Sequence, residues 1–218
     1  MKIVWCRTDP WLADPAAARR FCAQSGILTG DFLSEKDLVP YAAGRYLLLQ
    51  GLRQCGQSVC LADLAVTPAG KPYFPDSPVR FSISHAGAVA LCALSRAAVG
   101  ADVEEVLPPD PSLLSALQPE ERTYLEALPA RCQASAFCRL WTRKESLLKA
   151  RGGVLADILT QESVVTPEGS WRDRLDGFYL RRVPLPDGAY EAAVCTEAEG
   201  AGPLSPLCLE LPPPSAPL

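Results

Sequence analysis

The sequence predicts an α+β fold made of two similar halves. A strand, a helical region and a β-hairpin follow one another before about Val99, and the same order recurs after it, although the two halves share too little sequence to demonstrate a duplication. The chain has 218 residues, of which 48% are hydrophobic, so it can bury the core of one large domain or of two compact halves. We therefore expect an N-terminal half over residues 1–99 and a C-terminal half over residues 100–218, with a Pro-rich tail after about residue 211.

The first half begins with a short strand over Lys2–Arg7 and a short helix over Ala16–Ala23. Apolar residues then recur at helical spacing in YAAGRYLLLQGL, which predicts an amphipathic helix from Ser34 or Asp37 to about Gly56. A turn-rich segment follows, TPAGKPYFPDSP, and after it two β-like runs, VRFSIS and AVALCAL, which are joined by HAG.

The second half opens with a β-like run, GADVEEV, and a Pro-rich connector, LPPDP. The segment SALQPEERTYLEAL predicts a short helix, because Pro and Glu are favoured in a first helical turn. The longest helical pattern covers Ala134–Arg151 and ends at Gly152 and Gly153. Further strands are predicted in SVVT, FYLRRV, YEAAVCT and PLCLEL.

Composition excludes several classes of protein. The formal net charge of −4 argues against general nucleic-acid binding, which needs a basic surface. The nine cysteines are odd in number and contain no CxxC pair, a pattern typical of reduced thiols in a cytoplasmic protein. Neither a signal peptide nor an apolar run of membrane-spanning length is visible, so we expect no membrane association.

The segment GADVEEV contains three carboxylates and directly follows an apolar run. Asp102 and Glu104 are two residues apart on a predicted strand, so their side chains share one side. Such a pair can form half of a Mg²⁺ site, because Mg²⁺ is commonly bound by one or two carboxylates together with phosphate oxygens and water. A solvated edge strand that uses charge to prevent aggregation is the alternative.

A second group of charged residues lies in FCRLWTRKESLLKARGG. Lys144 occupies a position where the apolar stripe of the helix would continue, and Glu145 shares a face with Lys149. The alternative is a surface ion pair of the common ExxxK type.

His85 is the single histidine and no GxSxG sequence is present, which argues against serine hydrolase chemistry. Beside HAG, His85 is suited to donate a hydrogen bond to phosphate, and GKP offers Lys71 on a rigid turn.

In this order, GKPYF, FSISHAG, VGADVE and FCRLWTRKESLLKARGGVL resemble the motifs of Sfp-type 4'-phosphopantetheinyl transferases. The resemblance implies two α+β halves related by a pseudo-twofold axis, with coenzyme A bound between them. It also implies Mg²⁺-dependent transfer, with Mn²⁺ as a possible substitute, of the phosphopantetheine group of coenzyme A to a serine of an apo acyl or peptidyl carrier protein. Adenosine 3',5'-bisphosphate would be the second product, and a pseudo-dimeric chain is expected to act as a monomer.

The same resemblance assigns roles to individual residues. Asp102, Glu104 and Glu145 would bind the metal, while Glu145 as general base and Lys149 as a cation facing the pyrophosphate would be catalytic. The residues expected to bind the coenzyme A co-substrate are Arg45, Lys71, Ser84, His85, Lys144 and Lys149. Family members often carry a basic cluster before the first long helix, whereas this chain has GDFLSEK, so its 3'-phosphate contacts and the role of Lys144 stay open.

Other functions are compatible with the same residues. A Mg²⁺-dependent phosphodiesterase or nucleotidyltransferase would use the same carboxylates without a carrier protein. A silent carrier-binding module would retain docking but lack the metal residues, and a thiol or zinc protein would need paired cysteine spacing. The sequence does not indicate whether the carrier serves fatty-acid, polyketide or peptide synthesis.

Overall fold

The computed structural model describes residues 1–27, 34–198 and 203–212, and of Glu35 and Lys36 only the backbone. The distribution of contacts divides the chain into two units, Met1–Arg96 with Ser205–Leu218, and Ala97–Leu204. Most of the GDFLSEK segment and most of the expected Pro-rich tail lie outside the described residues.

The first unit packs a long helix against a sheet that is mostly antiparallel. Its described elements up to residue 96 are β1 (Lys2–Arg7), α1 (Asp9–Ala13), α2 (Pro15–Gln24), α3 (Glu35–Gln54), β2 (Ala65–Val66), β3 (Pro72–Tyr73), β4 (Arg80–Ala86) and β5 (Val89–Ser95). The Ser34 side chain accepts a hydrogen bond from the backbone N–H of Asp37 and so caps α3 at the predicted position. Leu38, Leu48 and Leu52 of α3 are buried in the core of this unit.

The second unit has the same type of architecture. Its elements are β6 (Val99–Glu105), α4 (Pro111–Leu114), α5 (Pro119–Glu126), α6 (Ala130–Arg151), β7 (Arg174–Leu175), β8 (Phe178–Arg182) and β9 (Tyr190–Thr196). A glycine in the left-handed conformation, Gly152, ends α6 as predicted. The core lies between α6 and the sheet and includes Leu140, Leu147 and Leu180.

The last described strand, β10 (Leu207–Cys208), corrects the predicted domain boundary. We expected PLCLEL to belong to the C-terminal half, but β10 pairs in parallel with β1, through Val4 with Leu207 and Trp5 with Cys208. The end of the chain therefore belongs to the first unit, because β10 forms hydrogen bonds with the edge of β1. Such a long-range pairing cannot be predicted from local sequence.

The two units share a connectivity. In the first, the strand order is β10-β1-β5-β4, and in the second it is β6-β9-β8-β7. In each unit the long helix, α3 or α6, follows the opening strand, and the last strand of the following hairpin inserts beside that opening strand. This confirms the mixed α+β class, while the pseudo-twofold axis stays a prediction.

Two predicted elements differ from the structure. SVVT forms only an isolated bridge between Val165 and Trp171. The Ser163 hydroxyl bonds to both the N–H and the C=O of Val165, a local interaction that competes with strand pairing. Helix α6 begins at Ala130, four residues earlier than predicted. None of the helices in the described residues is long and apolar enough to cross a membrane.

Candidate active site

Strand β6 directs its acidic residues toward helix α6. Gly100, Asp102 and Glu104 alternate with apolar residues and therefore lie on one side of the strand. Asp102 is only 3% exposed, and Glu104 is half-buried near the end of the strand. The predicted pairing of the two carboxylates on one side of β6 is thus present in the structure.

Gly100 allows the closest approach between β6 and α6. A Cβ atom at this position would lie 1.9 Å from the carbonyl oxygen of Ser146 and 2.5 Å from the amide nitrogen of Ala150. Only a residue without a side chain fits this space. The glycine of VGADVE therefore brings the backbone of α6 against the strand that carries the carboxylates.

An ion pair connects the two elements. The Lys149 Nζ atom lies 2.6 Å from Oδ1 of Asp102, and the Lys149 side chain is 31% exposed, whereas that of Asp102 is 4% exposed. Glu145 lies one turn before Lys149 on the same face of α6. The alternative of a simple surface pair between Glu145 and Lys149 therefore does not describe this site, since Lys149 reaches across to a buried aspartate.

The four charged groups influence one another. Burial and then the charge of Asp102 raise the pKa of Glu104 to about 7, against the opposing effect of Lys149. Burial and Asp102 also raise the pKa of Glu145. Burial lowers the pKa of Lys149, but Asp102, Glu145 and Glu104 outweigh it and leave this pKa above its ordinary value. Lys149 is therefore a protonated cation held among three carboxyl groups.

These residues fit a hard divalent cation chemically. Oxygen donors of this type are the ones that Mg²⁺ prefers, and the ammonium group of Lys149 already occupies a cation position beside Asp102. Within residues 1–27, 34–198 and 203–212, however, no three His, Cys, Asp or Glu side chains converge closely enough to form a metal centre. The predicted metal role of Asp102, Glu104 and Glu145 therefore stays a prediction.

Lys144 lies apart from this cluster. Its side chain is fully buried, and its Nζ atom is 3.2 Å from Oε2 of Glu121, which is fully buried as well. Burial lowers the pKa of Lys144, and Glu121 partly offsets this effect. The expected contact of Lys144 with coenzyme A is not supported by this position, because no part of the side chain reaches the surface.

In the first unit, the expected cofactor residues lie on elements that meet around β4. Strand β3 and helix α3 both contact β4. Lys71 is half-buried and directly precedes β3, after the left-handed Gly70 of the β2–β3 turn. His85 is exposed on β4, whereas its neighbour Ser84 points to the opposite side and is buried. The structure therefore presents His85 but not Ser84 to solvent.

Arg45 lies on α3 with its guanidinium carbon 3.7 Å from the centre of the Tyr41 ring. Burial lowers the pKa of Arg45, and Tyr41 partly offsets the shift. Its Nε atom has no hydrogen-bond partner among the described residues. That Nε atom is buried, so an anion could be bound only through the remaining nitrogens of this half-buried guanidinium.

Sequence reasoning did not identify a further charged group beside the cluster. Glu191 of β9 lies opposite Glu104 of β6 and is 5% exposed. The Arg182 side chain donates two hydrogen bonds of 2.8 Å to its carboxylate, and the Ser135 hydroxyl donates a third of 3.0 Å. The acidic residue inside YEAAVCT was the available signal, but only strand register places it beside Glu104.

No cysteine belongs to the charged cluster, although Cys138 lies near it, with its Sγ atom 3.4 Å from the carbonyl oxygen of Glu105. None of the nine cysteines, all of which the structure describes, forms a disulfide. Burial raises the pKa of Cys6 to about 12 and the pKa values of Cys22 and Cys138 to about 11. Protonated, buried thiols are poor nucleophiles and poor metal ligands. Four other cysteines are exposed, but the described residues contain no group of three His, Cys, Asp or Glu side chains that could hold a metal, which argues against a zinc protein.

Comparison with known sequences identifies the domain that carries the cluster. The profile of the 4'-phosphopantetheinyl transferase superfamily matches residues 98–195, which span β6, α6 and β9. Residues 98–195 are thus similar to the 4'-phosphopantetheinyl transferase superfamily. The resemblance inferred from the four motifs is thereby confirmed, and all three predicted metal residues and Lys149 lie within the matched range.

Curated relatives carry the same name. The chain is 35% identical over 130 residues to 4'-phosphopantetheinyl transferase AcpT of Salmonella typhi, a match that covers 57% of this chain and 65% of that protein. It is 34% identical over 128 residues to a 4'-phosphopantetheinyl transferase of Bacillus subtilis, covering 58% of this chain and 53% of the relative. A third relative, HetI of a Nostoc species, is 36% identical over 107 residues, which are 45% of each protein.

These matches cover less than two thirds of the length of each relative. The similarity to 4'-phosphopantetheinyl transferases therefore concerns the matched residues and not the whole length of these relatives.

Proposed function

We propose that this protein transfers the 4'-phosphopantetheine group of coenzyme A to a serine hydroxyl of an apo acyl or peptidyl carrier protein, with Mg²⁺ as cofactor. The observation that carries the proposal is the protonated Lys149 held 2.6 Å from the buried Asp102 in a superfamily domain that also presents Glu104 and Glu145. Relatives named 4'-phosphopantetheinyl transferases support it.

In this proposal Asp102, Glu104 and Glu145 would hold Mg²⁺, which would neutralise charge on the pyrophosphate of coenzyme A. The raised pKa of Glu104 supports such a role, because a buried carboxyl next to another carboxylate gains from a cation. Lys149 keeps its proton at neutral pH and can stabilise the negative charge that develops on the leaving adenosine 3',5'-bisphosphate. His85, Lys71 and Arg45 are proposed to bind the 3'-phosphate and adenine end.

Glu145 is the proposed general base. A serine hydroxyl is a weak nucleophile, so a neighbouring base must accept its proton as the oxygen attacks phosphorus. The raised pKa of Glu145 makes it a stronger base than an ordinary glutamate. Glu145 also lies on the same face of α6 as Lys149. Lys144 has no part in this mechanism, since it is buried with Glu121.

The test is intact mass spectrometry of an apo carrier protein incubated with this protein, coenzyme A and Mg²⁺. We expect a gain of one phosphopantetheinyl group, which EDTA and the Glu145→Gln variant abolish. Glu126→Gln is the matched control, because Glu126 is exposed on α5 and undergoes the same chemical change. Near-normal transfer by Glu145→Gln would refute the assignment of the base.

Two other results would redirect the assignment. Cleavage of coenzyme A without any gain on the carrier protein would indicate a phosphodiesterase. Intact coenzyme A and no gain on acyl and peptidyl carriers alike would contradict the proposed transfer activity.

A further inference from the structure

Glu121 and Lys144 form an ion pair that the proposed reaction does not use. Both side chains are completely buried, with Lys144 Nζ 3.2 Å from Oε2 and 3.3 Å from Oε1 of Glu121. Lys144 directly precedes Glu145, the proposed base. A pair of charges in this position requires a physical explanation, because taking ions out of water is unfavourable.

The pair is part of a larger connection. The Glu121 carboxylate also accepts hydrogen bonds of 2.9 Å from the backbone N–H groups of Gln118 and Val164. The Gln161 side chain donates a 3.2 Å hydrogen bond to the carbonyl oxygen of Lys144. One carboxylate therefore joins the beginning of α5, the segment before residue 165 and the middle of α6.

Stability alone does not account for this arrangement. A buried ion pair is often no more stabilising than well-packed apolar residues of similar size. The charges instead fix the orientation of the Lys144 side chain, because its ammonium group must lie close to the Glu121 carboxylate. Apolar side chains in the same place could shift and repack.

The orientation of Lys144 determines the orientation of Glu145, because both residues lie on the same helix. Consecutive residues are rotated by about 100° on a helix, so fixing Lys144 toward Glu121 also fixes where Glu145 points. Side-chain ends lie about 6 Å from the helix axis, and a roll of about 20° would therefore move the Glu145 carboxylate by about 2 Å. Displacements of about 1 Å at a catalytic group can reduce rates by about 100-fold.

We propose that Glu121 and Lys144 are positioning residues that fix the rotation of α6 about its axis and so direct Glu145 and Lys149 toward Asp102 and Glu104. This inference rests on the proposed function for the use of those four residues. The ion pair acts from the side of α6 that faces Glu121, while the close contact at Gly100 sets the distance between α6 and β6.

The test variant removes the ion pair without leaving a buried charge. In Glu121→Gln/Lys144→Met, the amide oxygen of the new glutamine can still accept the N–H of Val164, and methionine replaces the lysine chain at similar volume. Glu121→Gln/Lys144→Leu is the second variant, which likewise leaves no buried charge. It serves if circular dichroism shows the methionine variant to be unfolded.

Cys138 provides a reporter of the rotation of α6. It lies on α6, is 4% exposed, and its Sγ atom is 3.4 Å from the carbonyl oxygen of Glu105 at the end of β6. A change in the α6–β6 contact exposes this thiol. Cys195 of β9 is completely buried and reports global unfolding of the same unit.

Three measurements decide the proposal: thermal denaturation without metal, titration calorimetry with Mn²⁺ or Mg²⁺ alone, and the alkylation rate of each cysteine by peptide mass spectrometry. We expect a melting temperature near that of the wild type, metal affinity weakened about tenfold or more, and faster alkylation of Cys138 but not of Cys195. A purely structural pair would not separate stability from these two readouts.

The matched control is Arg151→Met/Asp176→Asn, which removes a solvent-exposed ion pair of 3.0 Å from the same helix. It should leave metal affinity and the alkylation of Cys138 unchanged. A folded test variant with wild-type metal affinity and a protected Cys138 would overturn the inference. If the wild-type protein binds no divalent cation, the proposed function fails, and the alkylation rate of Cys138 still decides this inference.

Discussion

The substitution Gly100→Ala tests whether the contact between β6 and α6 builds the site. The new methyl carbon would lie 1.9 Å from the Ser146 carbonyl oxygen, 2.5 Å from the Ala150 nitrogen and 3.0 Å from the Lys149 carbonyl carbon. Carbon and oxygen atoms approach to about 3.3 Å in close contacts, so the helix must move by about 1.4 Å. All three obstructing atoms belong to the helix backbone, so no side-chain rotation can relieve the clash.

The expected cost has two parts. Overpacking of this kind destabilises by about 1–3 kcal/mol, which lowers the melting temperature by about 2–12 °C in a chain of this size. The displacement also separates Glu145 and Lys149 from Asp102 and Glu104. A shift of more than about 1 Å should reduce the proposed transfer by about 100-fold, well beyond the effect of the lost stability at a temperature where the variant is folded.

The assay combines thermal denaturation followed by circular dichroism with the mass-spectrometric transfer assay, both on Gly100→Ala and on Gly188→Ala. Gly188 is the matched control, because a Cβ atom there meets no atom within 4 Å and the backbone has no left-handed strain. Wild-type stability and transfer in Gly100→Ala would refute the argument that this contact positions the site.

Two further predictions follow from burial and charge. Because the folded-state pKa of Glu104, about 7, exceeds the unfolded value of about 4.3, the metal-free protein should lose stability as pH rises through this window, and Glu104→Gln should remove that loss. Thermal denaturation in EDTA from about pH 5 to about pH 8.5 checks this, and a constant difference between variant and wild type would contradict it. Alkylation of the native protein should label the exposed thiols before the buried ones, and early labelling of Cys6 or Cys22 would contradict their burial in the core of the first unit. The thiols expected to react first are Cys55, Cys60, Cys132 and Cys208.

Several features of the site could be predicted because they depend on local periodicity. The two-residue spacing of Asp102 and Glu104 and the four-residue spacing of Glu145 and Lys149 place each pair on one face of its own element. The end of α6 at Gly152 is likewise a local property, since only its own backbone conformation is involved. The order of the motifs also indicated a resemblance to the superfamily whose profile matches residues 98–195.

Other features depend on partners that are distant in the chain. The expected ligand role of Lys144 does not agree with its position, because its ion pair with Glu121 spans 23 residues and α5 has to fold against α6 before the two meet. The placement of PLCLEL with the first unit depends on the edge of β1, some 200 residues away. Glu191 became part of the site only through the register of β6 with β9.

The sequence by itself determined the α+β class, the faces on which the charged residues lie and the family that residues 98–195 resemble, because periodicity and motif order are properties of the chain alone. Tertiary structure alone decided which of those charges meet. Lys149 reaches Asp102 because Gly100 lets α6 approach β6. Lys144 lies about 100° around the helix from Glu145, and its side chain therefore meets Glu121 and not the carboxylates of β6. Contacts between elements are set by packing distance and strand register, and neither quantity can be read from the residues of one element.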